Sequence, residues 1–201
     1  MSLLTRSVVR LEAALHPLLI VAVVLALNVA WTVTLQAFDL QFRAVSGLPL
    51  LDLQNTGGIL TAPEALDLVA GYSVEARSLY WVFFILDNII PLLAFGSFAL
   101  LWAALLRRTS PAVYSWAQRT PLLLIPFGVG GFDSVENLAF LFAIHQPTAP
   151  LALPAMQLGL GFVWLKAICL FTTFGLTPAM VVALIVAAIR RRHSPAVRRA
   201  A

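Results

Sequence analysis

Four long apolar runs, at 17–37, 79–106, 121–145 and 159–189, decide what this chain can fold into. A helix needs about 20 residues to cross the hydrocarbon of a bilayer, and each run reaches that length. Composition agrees. The 201 residues are 61% hydrophobic and only 11% charged, with a mean hydropathy of +0.93. A soluble domain carries about 25% charged residues, so most of this surface faces hydrocarbon. The expected fold is all-α: a polytopic membrane protein, built as one membrane domain over 1–201 from a bundle of four transmembrane helices.

Arginine sets the expected topology. Arg6 and Arg10 precede the first run, Arg107, Arg108 and Arg119 separate the second from the third, and Arg190, Arg191, Arg192, Arg198 and Arg199 follow the fourth. The opposite loops carry only Arg43 and Arg77. By the positive-inside rule the arginine-rich ends are cytoplasmic. Both termini are therefore expected in the cytoplasm, with the protein in the plasma (inner) membrane. The net charge of +4 does not imply nucleic acid, because the arginines flank apolar segments and form no aromatic-interleaved basic face. They suit anionic lipid head groups instead. Arg6 and Arg10 ahead of an apolar run superficially resemble a signal peptide. The run exceeds the usual stretch of about 7–15 residues and no A-x-A site ends it, so it is expected to remain as the first helix. A single lysine against twelve arginines, with abundant Ala and Leu, suits a GC-rich bacterial genome.

The first outer loop, 38–78, is long and mildly acidic, with Asp39, Asp52, Glu64, Asp67 and Glu75. Gly47, Pro49, Asn55, Gly57 and Gly58 mark turns. Thr61-Ala62-Pro63-Glu64 has the form of a capping box opening a short helix that Gly71 ends. Leu60, Leu66, Leu68 and Val69 give it an apolar side suited to a lid on the membrane surface. The second outer loop, 146–158, has no formal charge and contains Pro147, Pro150 and Pro154.

Within the apolar runs stand three acids and one lysine: Asp87, Asp133, Glu136 and Lys166. Charge at bilayer depth is costly, so such residues face a bundle interior or a wet cavity and pair with something. A helix rises about 1.5 Å per residue, which puts Asp87 about 12 Å, Lys166 about 10 Å and Glu136 about 14 Å below the outer ends of their runs, with Asp133 a turn deeper. Residues three and four apart share a helix face. Asp133, Glu136 and Asn137 therefore line up, with Gly130 a turn before them, where another helix can approach closely, and Phe140 a turn after. Phe162, Lys166, Cys169 and Thr173 line up in the fourth run, and Asn28, Trp31 and Thr32 in the first. Asn88 follows Asp87, and Pro91 stands one turn on, where it frees a backbone carbonyl and favours a kink. The simplest arrangement is an acidic pocket opening outward. Its ligand or proton-binding groups are Asp87, Asp133, Glu136, Asn137 and Lys166, and Asn88, Asn28, Trp31 and Trp164 line it. Asp87 or Glu136 is the expected partner of Lys166. Tyr80 and Trp81 are expected as interfacial anchors.

Three carboxylates against one lysine leave two excess negative charges, so at least one acid holds a proton at neutral pH or a cation is bound. The acids then titrate as a coupled set. Two uses compete. Polar groups can simply join helices, at about 0.6–2 kcal/mol per hydrogen bond. Ionisable groups inside a membrane more often bind or react.

Other chemistry finds no support. Cys169 is the single cysteine, so there is neither an intrachain disulfide nor a CxxC pattern. His16, His145 and His193 have no paired spacing for zinc or haem, and no metal or cofactor is expected. No G-x-S-x-G, Walker A or dinucleotide fingerprint occurs.

Leu86-Asp87-Asn88-Ile89-Ile90-Pro91 and Phe132-Asp133-Ser134-Val135-Glu136-Asn137 resemble segments of small bacterial four-helix membrane proteins of unassigned function. That resemblance implies a fold and no activity. Phe38-Asp39-Leu40-Gln41, with Asp87 and Pro91, is similar in kind to the emopamil-binding and sigma-2-receptor superfamily, which implies intramembrane acids around a sterol-sized cavity. The Asp133/Glu136/Asn137 group departs from that superfamily's third helix.

The expected function is thus an integral membrane protein whose acidic pocket binds a small amphipathic or lipidic molecule, or a cation. Membrane lipids and an oligomer or larger membrane complex are the expected partners. One alternative is a membrane enzyme using a carboxyl pair as acid and base on a lipid-soluble substrate. The other is a structural or assembly subunit.

Overall fold

A computed structural model describes residues 2–51 and 60–193, with side chains through residue 190. Asp52, Asn55, Gly57 and Gly58 lie outside the described residues. All regular structure among the described residues is helical. The order is α1 (Leu3–Ala14), α2 (Pro17–Ser46), α3 (Ala62–Ala70), α4 (Val74–Thr109), α5 (Pro111–Arg119), a 3₁₀ turn (Pro121–Leu124), α6 (Ile125–His145) and α7 (Ala152–His193). Four of these, α2, α4, α7 and α6 with its 3₁₀ lead-in, are long and apolar enough to cross a membrane. The chain is a multi-pass membrane protein with an all-α, four-helix bundle and a short helix in its first long loop.

The helices outrun the apolar stretches that announce them. Expected to end at 37, the first spanning helix continues to Ser46. Beyond the apolar run, Asp39 and Arg43 pair one turn apart at 2.8 Å, and Phe38 and Phe42 are buried. Gly47, at φ +67°, then closes the helix by donating its N–H to the Arg43 carbonyl at 2.9 Å. Phe38–Asp39–Leu40–Gln41 is therefore helical. α4 likewise begins at Val74, capped by the Ser73 hydroxyl, rather than at 79. α7 begins at Ala152, which shortens the expected loop 146–158. At 42 residues α7 is about 63 Å long, roughly twice the hydrocarbon thickness. Pro91 and Pro178 both sit inside continuous helices.

α4 and α6 form the interior. In the most apolar 18-residue stretch of each helix, 61% of α4 is buried but only 6% of α7. Uniformly apolar helices present lipid-facing and protein-facing sides alike, so small residues set which sides meet. Gly130 of α6 faces the backbone of α4, where an added Cβ would stand 2.7 Å from Leu92 Cα. Gly159 of α7 lies under the Phe140 ring of α6. Gly128 meets Cys169 of α7, with an added Cβ only 2.7 Å from its Sγ. The third glycine of that run, Gly131, faces open space.

Short helices close both ends. α3 has the expected capping box: the Thr61 hydroxyl accepts from the Glu64 N–H, and a Glu64 carboxylate oxygen accepts from the Thr61 N–H at 2.8 Å. It buries Ala62, Ala65 and Val69 in a cluster shared with Phe42, Tyr80, Phe140 and Val163. It thus packs onto the end of the bundle itself. At the arginine-rich end, α1 is capped by Ser2 and ends before the Pro17 that starts α2. Its buried Glu12 pairs with Arg107 at 3.0 Å and Arg108 at 3.6 Å of α4. The apolar-run reading contains neither α1 nor α5, because both are too short and too polar to span.

Gly130→Ala should lower stability by about 1–3 kcal/mol through overpacking against α4, whereas Gly131→Ala should be neutral or stabilising. Thermal unfolding of both variants in the same bicelles checks the contrast. The hydroxyl and N–H of Thr61 hold the Glu64 carboxyl below its usual 4.5. A depressed folded value means that this contribution to α3 is full above the unfolded pKa and lost as pH falls through the folded one. Amide exchange at the start of α3 should accelerate across that acidic window in the wild type and show no such step in Glu64→Gln.

Candidate functional site

α6 carries the centre of the site because its sequence puts three polar groups on one face. Asp133, Glu136 and Asn137 lie within about one turn, and all three are buried. Their neighbours supply the complement. Lys166 of α7 places its Nζ 2.7 Å from Asp133 Oδ1 and 2.7 Å from Glu136 Oε2. On the other flank, Asn137 Nδ2 donates to Asp87 Oδ2 of α4 at 3.1 Å. All five residues are at most 8% exposed. The two contacts on α6 face opposite neighbours, so one helical turn joins α4 to α7.

The shared layer expected from residue counting is thus present as contact between side chains. Counting from the observed helix starts deepens both positions together. Asp87 lies thirteen residues into α4 and Lys166 fourteen into α7, because both helices start well before their apolar runs. Lys166 takes both acids of α6, so the expected Glu136 partner is joined by Asp133. Asp87 is instead oriented by the Asn137 amide.

Pro91 adds a second effect at Asp87. It has no N–H to donate to the carbonyl four residues back, which is that of Asp87 itself. The Asp87 carbonyl therefore takes no hydrogen bond from residue 91. A small, mostly apolar cavity of about 10 Å³ lies beside Asp87 between α2 and α4, among Trp31, Thr34, Phe38 and Leu86. Trp31, half-buried, packs edge-on to Phe95 at 5.6 Å. Its indole N–H has no hydrogen-bond partner among the described residues.

Several expected lining residues stand elsewhere. Trp164 is 65% exposed and points away from the bundle; it lies two residues before Lys166, on the opposite side of α7. Asn28 donates to the Val24 carbonyl at 2.7 Å and Asn88 to the Phe84 carbonyl at 2.6 Å, so each amide serves its own helix. Tyr80 is no interfacial anchor, since it is completely buried in the cluster under α3. It shares the buried stripe Tyr80, Phe83, Asp87, Pro91 of α4. The signal was present in the sequence: Tyr80 lies two turns before Asp87, on the same face. Trp81, beside it, is exposed and lies tilted against His145, with ring centroids 5.4 Å apart.

Electrostatically the site is a desolvated cluster of three carboxyl groups and one ammonium. The Lys166 ammonium, bonded at short range to two acids, satisfies the condition under which buried charge is tolerated. Removing one member of such a cluster strands the rest. Comparison with protein families, characterised proteins and solved structures finds nothing that matches this chain.

Lys166→Met should cost about 3–5 kcal/mol at neutral pH, because Asp133 and Glu136 lose their shared counter-charge while remaining buried. The triple change Lys166→Met, Asp133→Asn, Glu136→Gln should recover part of that loss. Unfolding free energies measured in one detergent system give the comparison.

Proposed function

We propose that this protein is a proton-binding membrane protein, and that the Asp87, Asp133, Glu136, Asn137 and Lys166 cluster is its proton site. The observation that carries the reading is the double contact of one ammonium with two carboxylates, beside a third carboxyl group, at full burial. One positive charge meets three acids. Excess negative charge in a desolvated interior is relieved by protonation, and the acids share the proton as a coupled set.

Geometry favours a proton over the other expected occupants. Asp133 and Glu136 both contact the Lys166 ammonium, which already supplies a cation to them. Among the described residues no group of three His, Cys, Asp or Glu side chains converges as metal ligands. The cavity beside Asp87, about 10 Å³, is too small for an amphipathic ligand or a lipid-soluble substrate. In this reading Lys166 is the fixed counter-charge, Asn137 the orienter of Asp87, and the arginine-rich ends with both termini lie in the cytoplasm of a bacterial inner membrane.

A packing role alone is favoured by the same short Lys166 contacts, which join α6 to α7 whatever the protonation. The two readings differ in one observable. Infrared spectra of the lipid-reconstituted protein at pH 7 should contain a protonated-carboxyl band. That band should shift or vanish in at least one of Asp87→Asn, Asp133→Asn and Glu136→Gln, and grow in Lys166→Met. A wild type without the band at pH 7, or a band indifferent to all four substitutions, would leave the cluster as a helix clamp.

A further inference from the structure

We infer that the groove beneath α1 binds one acyl chain of an anionic phospholipid, with its head group at the arginine-rich end of the bundle. The groove has a volume of about 380 Å³. Leu4 and Leu11 of α1 form its roof, Val23 and Leu27 of α2 one wall, and Gly96 with Phe127 part of the floor. It is separate from the proton site and owes nothing to that reading.

Three observations point to this occupant. The first is the lining, which is apolar apart from two serines. Ser97 donates its hydroxyl to the Ala94 carbonyl at 2.5 Å, and Ser7 donates to the Leu3 carbonyl at 3.2 Å. Both hydroxyls are thus satisfied within their own helices. Water in such a space lacks the two to four polar partners it needs, whereas a hydrocarbon chain leaves nothing unpaired. The second is the construction of the roof. α1 is held across the groove by Glu12, whose neighbour Leu11 lines it, through the contacts to Arg107 at 3.0 Å and Arg108 at 3.6 Å. α1 is therefore a fixed amphipathic bar whose Leu4 and Leu11 remain half-exposed on the groove side. The third is charge. One carboxylate meets two guanidinium groups at this end, and Arg107 remains 41% exposed. Arg6 and Arg10 of α1 are also exposed. The groove follows α4 from Leu92 to Leu100, about 12 Å, and Arg107 lies about 10 Å further on. A chain seated there brings its phosphate toward the arginines. Anionic head groups are attracted to such juxtamembrane basic clusters.

The test is native mass spectrometry of the full chain in mild detergent, titrated with phosphatidylglycerol or with phosphatidylcholine carrying the same acyl chains. One phosphatidylglycerol should be retained per chain at about tenfold lower lipid concentration than phosphatidylcholine, a difference of about 1.4 kcal/mol. Ser7→Trp and Val23→Trp fill the groove from its α1 and α2 sides. Each should remove that preferential adduct, while Leu18→Trp, on the exposed lipid face of α2 outside the groove, should keep it. Two filling variants are used so that one that fails to fold leaves the other to decide. Equal retention of the two lipids overturns the head-group assignment. Preferential retention that survives the filling substitutions overturns the groove. A dimer that the same substitutions convert to monomer means that a second copy of the chain covers this face, which also overturns it.

Discussion

The ammonium of Lys166 cannot be left alone in this bundle, and the arrangement of α6 and α7 follows from what it needs. Its two contacts, to Asp133 and Glu136, require both carboxylates on one turn of α6 facing α7. The remaining member of that turn, Asn137, then faces α4 and meets Asp87. Rotating α6 by even a quarter turn would expose a buried acid to lipid or strand the lysine. Apolar helices in hydrocarbon gain little from one orientation over another, so a few charged groups fix an azimuth that dozens of leucines and valines cannot.

Close approach makes those contacts short. Gly130 lies one turn before Asp133, against the α4 backbone at Leu92, immediately after Pro91. Gly159 accepts the Phe140 ring one turn beyond Glu136. Glycine contacts thus bracket the polar turn above and below, one toward each neighbour of α6. The same α4 segment serves both regions of interest. Its Asp87 level faces the polar turn, and its Leu92–Leu100 level, one to three turns on, forms the groove under α1. Pro91 stands between them.

The two ends of the bundle are finished differently. At one end α3 buries small residues onto an aromatic and aliphatic cluster that includes Tyr80 and Phe140. At the other, α1 is tied down by an ion pair from Glu12 to the arginines that end α4. Those arginines belong to the arginine-rich end of the sequence and are structural partners in the fold. A guanidinium has five donors, and one carboxylate does not exhaust them.

The sequence by itself determined the four spanning helices, the arginine asymmetry, the capping box at Thr61–Glu64 and the shared face of Asp133, Glu136 and Asn137. Each is a local property: length and hydropathy along one run, or spacing within one turn. Tertiary structure decided the rest. It chose both α6 acids as the partners of Lys166, sent Trp164 outward, enclosed Tyr80, and turned Asn28 and Asn88 back on their own helices. Periodicity says which residues share a face, but not which way that face turns, since helix rotation is set by the glycine contacts and ion pairs between helices. Hydropathy likewise marks where a helix enters lipid and not where it ends, because capping groups such as Gly47 and Ser73 terminate helices in the polar region beyond.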